Sequence, residues 1–392
     1  MNSPVYIVSA KRTPFGSFGQ SLSSVSATDL GAAALSAALK AARLPPEAIE
    51  EVFMGNVCSA NVGQAPARQA ALGASIPFSV PATTINKVCA SGMKSIMLGA
   101  QSIALGQAEF IAAGGMENMS QIPYYAPQQR WGSKYGDALL IDGLAKDGLR
   151  DAFEQVPMGV LADRVAAAQK ISREAQDDYA LASYDRAEKA WAEGAFSEEV
   201  APIEVQERKG KHTITQDEEY PKVMVEKVRG LKPAFSPDGS ITAANASTLN
   251  DGACALILAS EKGVKDRGLR PFARIVGYAD AARSPAEFTL APIDATEKLL
   301  AQTKKTLDEI DLFEVNEAFA MVPLAYATHF KLPLSKINVH GGAVALGHPL
   351  GASGARIVTT LIYALKARNQ RLGIAAICNG GGGASALMIE VI

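Results

Sequence analysis

The chain predicts an α/β protein made of two similar halves with one insertion, and three observations carry that prediction. Strand-like and helix-like segments alternate from the start of the sequence, as in folds that cover a sheet with helices. The text also repeats itself. Cys89-Ala90-Ser91-Gly92, a helix-like run, the apolar segment 110–113 and Gly114-Gly115 are matched late in the chain. There Gly351-Ala352-Ser353-Gly354 precedes another helix-like run, the apolar segment 374–377 and the glycines 380–383. Lastly, residues 119–246 have no counterpart in the second half.

Taken in order, residues 5–9 read as a buried strand, and Thr28-Asp29 caps an Ala/Leu-rich helix running to about residue 42. Pro45-Pro46 opens a short helix that feeds a strand at 52–54. Alternation of this kind predicts a mostly parallel sheet. Ala48-Ile49-Glu50-Glu51-Val52-Phe53 resembles Asp308-Glu309-Ile310-Asp311-Leu312-Phe313, a second sign of duplication. Chance likeness of Gly/Ala-rich text is the competing explanation. Between the halves lie aromatic and Gln-rich text (Tyr124, Tyr125, Gln128, Gln129, Trp131), helix candidates at 159–170 and 173–192, and the most charged stretch, 206–227. Insertions on such scaffolds commonly carry substrate contacts. The expected organisation is a first half at 1–118 completed by about 247–270, an inserted loop domain at 119–246 and a second half at 271–392.

Composition narrows the function. Lysine and arginine total 38 against 40 acidic residues, so a net charge of -2 offers no footprint for nucleic acid or an anionic membrane. No apolar run approaches the roughly 18 residues that a membrane helix needs. At the N-terminus the apolar run 5–8 precedes Lys11 and Arg12, the reverse of a secretory signal. Glu390-Val391-Ile392 is neither a prenylation box nor a peroxisomal tripeptide. A cytoplasmic location is the expectation. Cys58, Cys89, Cys254 and Cys378 form no CxxC pair, which argues against zinc or a thioredoxin-like centre.

Four places could carry chemistry. Within Asn86-Lys87-Val88-Cys89-Ala90-Ser91-Gly92-Met93, a cysteine stands where an extended segment meets a helix N-terminus. N–H groups there favour thiolate, and the small residues Ala90, Ser91 and Gly92 admit a substrate. A buried, inert thiol is the alternative. His348 sits between Gly347 and Pro349 ahead of a helix, as a catalytic group or as a turn residue capping backbone. Cys378-Asn379 and glycines 380–383 put a thiol at a strand end, followed by bare N–H groups that can face a ligand oxygen or merely pack tightly. Val315-Asn316-Glu317-Ala318-Phe319 puts a polar pair after the strand 311–314, where α/β sheets hold their sites.

Together these motifs resemble those of the thiolases, in the biosynthetic short-chain branch, and the resemblance runs nearly end to end. It takes in Ile7-Val8-Ser9-Ala10-Lys11-Arg12-Thr13-Pro14-Phe15-Gly16 and Asn245-Ala246-Ser247-Thr248-Leu249-Asn250-Asp251-Gly252-Ala253. The resemblance implies two βαβαβαββ halves in an α/β/α/β/α core with an inserted loop domain. It implies an acyltransferase that joins two acetyl-CoA into acetoacetyl-CoA plus CoA, reversibly. Cys89 would be the acetylated nucleophile, His348 its base and Cys378 the base toward the second substrate. Asn316 would hold a water beside His348 at one oxyanion site, and the N–H groups of Cys89 and Gly380 would form the other.

The resemblance further assigns CoA and acyl contacts to Tyr184, Lys222, Val223, Lys227, Ser247, Met158, Phe288, Ala318 and Phe319. It implies no tightly bound cofactor, and a potassium ion on backbone carbonyls matching Tyr184, Ala243, Ala244, Ala246 and Val344. A homotetramer, a dimer of dimers, would form through the 119–135 stretch. Pro157 and His340 depart from the family pattern, as does Thr289 after Phe288. Rival readings are a broad-chain 3-ketoacyl-CoA thiolase, a Cys–His hydrolase and a non-catalytic CoA- or lipid-binding relative. Cys89-Ala90-Ser91-Gly92-Met93-Lys94 points away from the first, and a second placed cysteine away from the hydrolase.

Overall fold

The computed structural model describes residues 3–207 and 210–392. Readings that touch residues 1–2 of the N-terminal text or 208–209 of the charged stretch lie outside the described residues. The first half contains β1 (Val5–Arg12), α1 (Ala27–Ala42), β2 (Glu51–Gly55), α2 (Pro66–Gly73), β3 (Ala82–Ile85), α3 (Ser91–Ala104) and β4 (Phe110–Asn118). Then come α4 (Met158–Ala168) and α5 (Arg173–Ala192) of the middle segment, and β5 (Asn250–Ser260). The rest is β6 (Ala273–Ala282), α6 (Ala291–Thr303), β7 (Leu312–Val315), α7 (Met321–Phe330), α8 (Leu350–Ala367), β8 (Leu372–Asn379) and β9 (Gly383–Val391).

The strands form one continuous sheet in the order β7-β8-β9-β6-β1-β5-β4-β2-β3, with the short strand Gly16–Ser17 beside β5. The halves meet where β1 and β6 pair over only three residues, Val5 to Ile7. Helices α3 and α8 pack on each other and on strands of both halves, which makes them the middle layer. Helices α1 and α2 cover the first half from outside, and α6 and α7 cover the second. Five layers result, with a buried cluster on each side of both halves of the sheet. The second half lacks a full counterpart of β3. A single parallel bridge, Phe313 to Ile337, marks its place.

Two local expectations need correction. The sheet is mixed rather than mostly parallel. Only β2–β3, β2–β4 and β7–β8 run parallel, while β1, β5, β6 and β9 pair antiparallel to their neighbours. Each half ends in a strand that returns antiparallel, and strands 5–9, 52–54 and 110–113 all extend further than their apolar text. The cap of α1 is Ser26, whose hydroxyl accepts from Asp29 N–H at 3.0 Å, not Thr28-Asp29. Ser26 is the first residue whose side chain can reach back to the unpaired N–H groups of the first turn.

The middle segment is tied to the core by buried charge. Arg12 at the end of β1 is fully buried and pairs with Glu199 and with Asp217, the latter at 2.6 Å. Thr360 of α8 donates to Glu199 at 2.9 Å, and Trp191 Nε1 donates to Asp217 at 3.2 Å. A buried ion is tolerable only with partners of this kind.

Candidate active site

The site exists because α3 and α8 touch at their N-terminal ends. A Cβ on Gly92 would stand 2.8 Å from Ala355 N, and one on Gly354 would stand 2.5 Å from Met93 N. Any larger residue at either position would push the helices apart. Gly92 therefore admits α8, not a substrate, which corrects the sequence reading. The same crossing brings Cys89, two residues before α3, toward His348, two residues before α8.

The Cys89 turn is strained and well pinned. Val88 has φ +47°, a conformation that β-branched residues rarely adopt. Asn86 Oδ1 accepts from Val88 N–H at 3.0 Å, and Ser91 Oγ accepts from Lys87 N–H at 2.8 Å while donating to Val88 O at 2.6 Å. His348 is set as firmly. Its N–H donates to Asn250 Oδ1 at 2.9 Å. Gly347 before it has φ +104° and no room for a Cβ beside the Asn250 amide. The Ser353 hydroxyl donates to Pro349 O at 2.8 Å, so toward His348 Nδ1, 2.6 Å away, it can only accept. That places the imidazole proton on Nδ1 and leaves Nε2 a bare base, buried with no protein partner.

Cys378 is fully buried near the end of β8, opposite Ala384. Gly381 (φ +83°) and Gly382 (φ +88°) make the turn into β9, so two of the four glycines serve the hairpin. Gly380 remains for the ligand side, and its N–H faces the Cys89 thiol. Asn316 follows Val315, whose strand partner is Ala376, two residues before Cys378. Its side chain is fully buried, and neither Nδ2 nor Oδ1 has a protein partner.

Electrostatics here follow burial. Desolvation pushes the Cys89 thiol up to about 12, against the N–H groups of Gly380 and of Cys89 itself, which pull it down. Desolvation raises Cys378 further, with the nearby Cys89 as a second cause. His348 is lowered to about 3 by burial and then by Arg356. At neutral pH the resting state is thus two thiols and a neutral imidazole. The helix N-terminus does not make a standing thiolate, contrary to expectation, because the desolvation cost exceeds the pull of two N–H groups.

A cavity of about 630 Å³ leads to His348. Met158, Lys222, Ser247, Phe319, Ala243 and Ala246 line it among the predicted residues, and Phe235, edge-on to Phe319 at 6.0 Å, completes an apolar throat. Ser247 donates its hydroxyl to Ala318 O at 3.0 Å, so toward a ligand the hydroxyl oxygen can only accept. Lys222 Nζ is held by Ser17 Oγ. Tyr184 and Val344 lie together in a buried cluster against which Val223 packs. Phe288 is buried in the outer core of the second half, with Met158 at its margin. Lys227 is exposed on a short helix and does not line the cavity. His340 packs edge-on against Phe196 at 5.8 Å, away from the cavity, and Pro157 only precedes α4.

Family models decide the assignment: the N-terminal thiolase domain matches residues 5–262 and the C-terminal thiolase domain matches residues 269–391. The chain belongs to the thiolase family. A cytosolic acetyl-CoA acetyltransferase of Gibberella zeae is 50% identical to it, over 99% of this chain and 98% of that protein. The Acat5 thiolase of Ascaris suum, solved with coenzyme A, matches with TM-score 0.94 and 48% identity, covering 99% and 100%. Human mitochondrial 3-ketoacyl-CoA thiolase matches with TM-score 0.96 and 43% identity, covering 100% and 99%.

This thiolase also uses residues that the sequence reading did not single out. Ser353 and Asn250 orient His348, and both lay inside motifs already quoted. Glu117 is fully buried and accepts from Asn56 Nδ2 (3.0 Å), Val57 N (3.1 Å), Cys58 N (3.1 Å) and Gly351 N (2.8 Å). It ties the end of β2 to the first turn of α8. Cys58 lies close enough to Cys89 for their charges to interact, yet burial and then Glu117 hold it as a thiol.

Proposed function

We propose that this thiolase is an acetyl-CoA C-acetyltransferase that condenses two acetyl-CoA into acetoacetyl-CoA and CoA, reversibly and by a ping-pong route. The observation that supports this most is the bare Nε2 of a tautomer-locked His348 at the wall of an apolar cavity of substrate size, with the Cys89 and Cys378 thiols close enough to each other for their charges to interact. Cys89 gives its proton to Nε2 as its sulfur attacks the thioester carbonyl. The tetrahedral intermediate expels the CoA thiolate, which takes the proton from His348 and leaves acetyl-Cys89. Cys378 then passes its own proton to His348, and the resulting thiolate removes a proton from the methyl of the second acetyl-CoA. The carbanion attacks the acetyl carbonyl, a carbon–carbon bond forms, and Cys89 leaves as thiolate and recovers its proton from His348. The N–H groups of Cys89 and Gly380 suit the oxyanion of the first carbonyl. The unpartnered Asn316 amide suits a water beside the second substrate's thioester oxygen.

Met158 at the cavity wall favours short acyl chains, and Ser247 and Lys222 suit the pantetheine and nucleotide ends of CoA. Backbone oxygens of Tyr184, Ala243, Ala244, Ala246 and Val344 suit a hard cation such as potassium by donor type. The exposed Tyr124, Trp131, Tyr135, Leu139 and Leu140 suit the tetramer contact, and the expected division at 119–246 and 271 is consistent with that arrangement. The cytosolic relative supports a cytoplasmic location.

The test is the loss of acetoacetyl-CoA with and without added CoA, repeated with a long-chain 3-ketoacyl-CoA and with sodium replacing potassium. CoA-dependent cleavage of the short substrate alone is expected, faster in potassium. CoA-independent loss would indicate a hydrolase, and equal long-chain cleavage the broad-chain enzyme.

A further inference from the structure

Beyond the cavity, one polar cluster connects the Cys89 turn to β6 and β9, and β9 pairs with the strand that carries Cys378. Lys87, two residues before the nucleophile, reaches across to the second half. Its Nζ donates to Asp280 Oδ1 (2.5 Å) on β6, and to Ser385 Oγ (2.7 Å) and Ala384 O (3.1 Å) on β9. Ala384 is the strand partner of Cys378, and Asp280 the partner of Ser385. Lys94, on the same helix as the Cys89 turn leads into, takes the other Asp280 oxygen at 2.7 Å. Ser385 also donates to Asp280 Oδ1 at 2.6 Å.

We propose that Lys87 and Asp280 are positioning residues that clamp the Cys89 turn to the Cys378 strand and so set the spacing of the two thiols. An isolated ion pair that is a quarter to a third exposed contributes little. Here, though, one ammonium spends all three of its donors on two neighbouring strands, and one carboxylate takes both lysines and a serine. Burial alone would raise the Asp280 carboxyl, but hydrogen bonds from Lys87, Lys94 and Ser385 hold it at about 2, so the carboxylate of the clamp is charged at neutral pH, while burial lowers the Lys87 ammonium from its ordinary value. The second contact across the same gap is apolar, Val88 facing Gly380 at 3.6 Å from an ideal Cβ. Without the clamp, the strained turn is left with the Gly380 N–H at the Cys89 thiol as its polar contact to the second half. The spacing of the two thiols matters only in condensation, whereas exchange uses the Cys89–Gly380 contact across the same gap, so losing the clamp weighs more heavily on condensation.

This inference rests on the acetyl-transfer reading above, and the experiment separates the two. Full-length wild type, Lys87→Met and Asp280→Asn would be assayed for exchange of labelled CoA into acetyl-CoA, which needs Cys89 and His348, and for condensation, which also needs Cys378. The variants should keep most of their exchange activity, with unchanged acetyl-CoA KM. Condensation should drop by about a hundredfold for Lys87→Met, the scale of an ångström misplacement of reacting groups, and by less for Asp280→Asn. Both activities falling together, or neither falling, overturns the clamp. If Lys87→Met does not fold, Asp280→Asn decides by the same ratio. A wild type that neither exchanges nor condenses overturns the acetyl-transfer reading instead.

Discussion

The two halves of the sheet put different chemistry at the same place. Aligning the strand pairs Val52–Ala112 and Leu312–Gly373 sets Asn56 against Asn316, and Glu117 against Cys378. In the first half the pair is spent on structure. Asn56 Nδ2 donates to Met116 O (3.3 Å) and to Glu117, and Glu117 takes four donors in all. In the second half the pair is left open, with Asn316 unpartnered at both amide atoms and Cys378 a bare thiol. Glu317, directly after Asn316, is bound by Tyr179 (2.9 Å), Ser183 (2.8 Å), Asn338 (2.8 Å) and Val344 N (3.0 Å). Burial therefore does not distinguish a working polar group from a structural one. The two asparagines differ in how much is left bare: Asn56 lacks a partner only at Oδ1, whereas Asn316 lacks one at both amide atoms, and folding does not leave such a group bare without cost.

Substitutions at these matched positions test the contrast. The largest effect is expected at the thiols. Cys89→Ala should abolish labelled acetyl-enzyme, whereas Cys378→Ala should still trap label while losing about 10²–10⁴-fold in condensation, the worth of a general base. No label on Cys378→Ala would show that the two roles are misassigned. Next come the asparagines. Asn316→Ala should lower kcat by about 10²–10³-fold with Tm unchanged, since no protein partner is lost. Asn56→Ala should instead lower unfolding stability by about 1–3 kcal/mol, because it takes a donor away from the buried Glu117 carboxylate. Equal Tm losses from both would erase the distinction.

A further effect concerns pH. Burial raises the Glu117 carboxyl from 4.5 to about 7, against its backbone hydrogen bonds. A carboxyl raised on folding favours the native state fully below its unfolded pKa, and that contribution is lost as pH rises toward 7. The wild type should therefore lose up to roughly 3 kcal/mol more than Glu117→Gln between pH 4.5 and 7. Chemical denaturation of both proteins across that range measures the difference. Parallel curves would place the Glu117 titration elsewhere.

Much of the fold, and the catalytic residues proposed above, can be read in the sequence because those residues sit in short contiguous motifs. Cys89, His348, Cys378 and Asn316 each announce themselves by glycines, prolines and strand ends within a few residues. The duplication was legible too, since equal folds require equal spacing of apolar and glycine text. What tertiary structure decided is the state and purpose of those residues. The His348 tautomer depends on Ser353, and its backbone on Asn250, nearly a hundred positions away in the chain. Gly92 reads as room for substrate until α8 is found to fill it. The Cys89 thiol reads as activated by a helix end until burial is weighed and found stronger. Glu117, the counterpart of Cys378, could not be told from any other strand-end carboxylate. Desolvation and hydrogen-bond partners are set by what packs around a residue, and residues distant in sequence supply most of that packing.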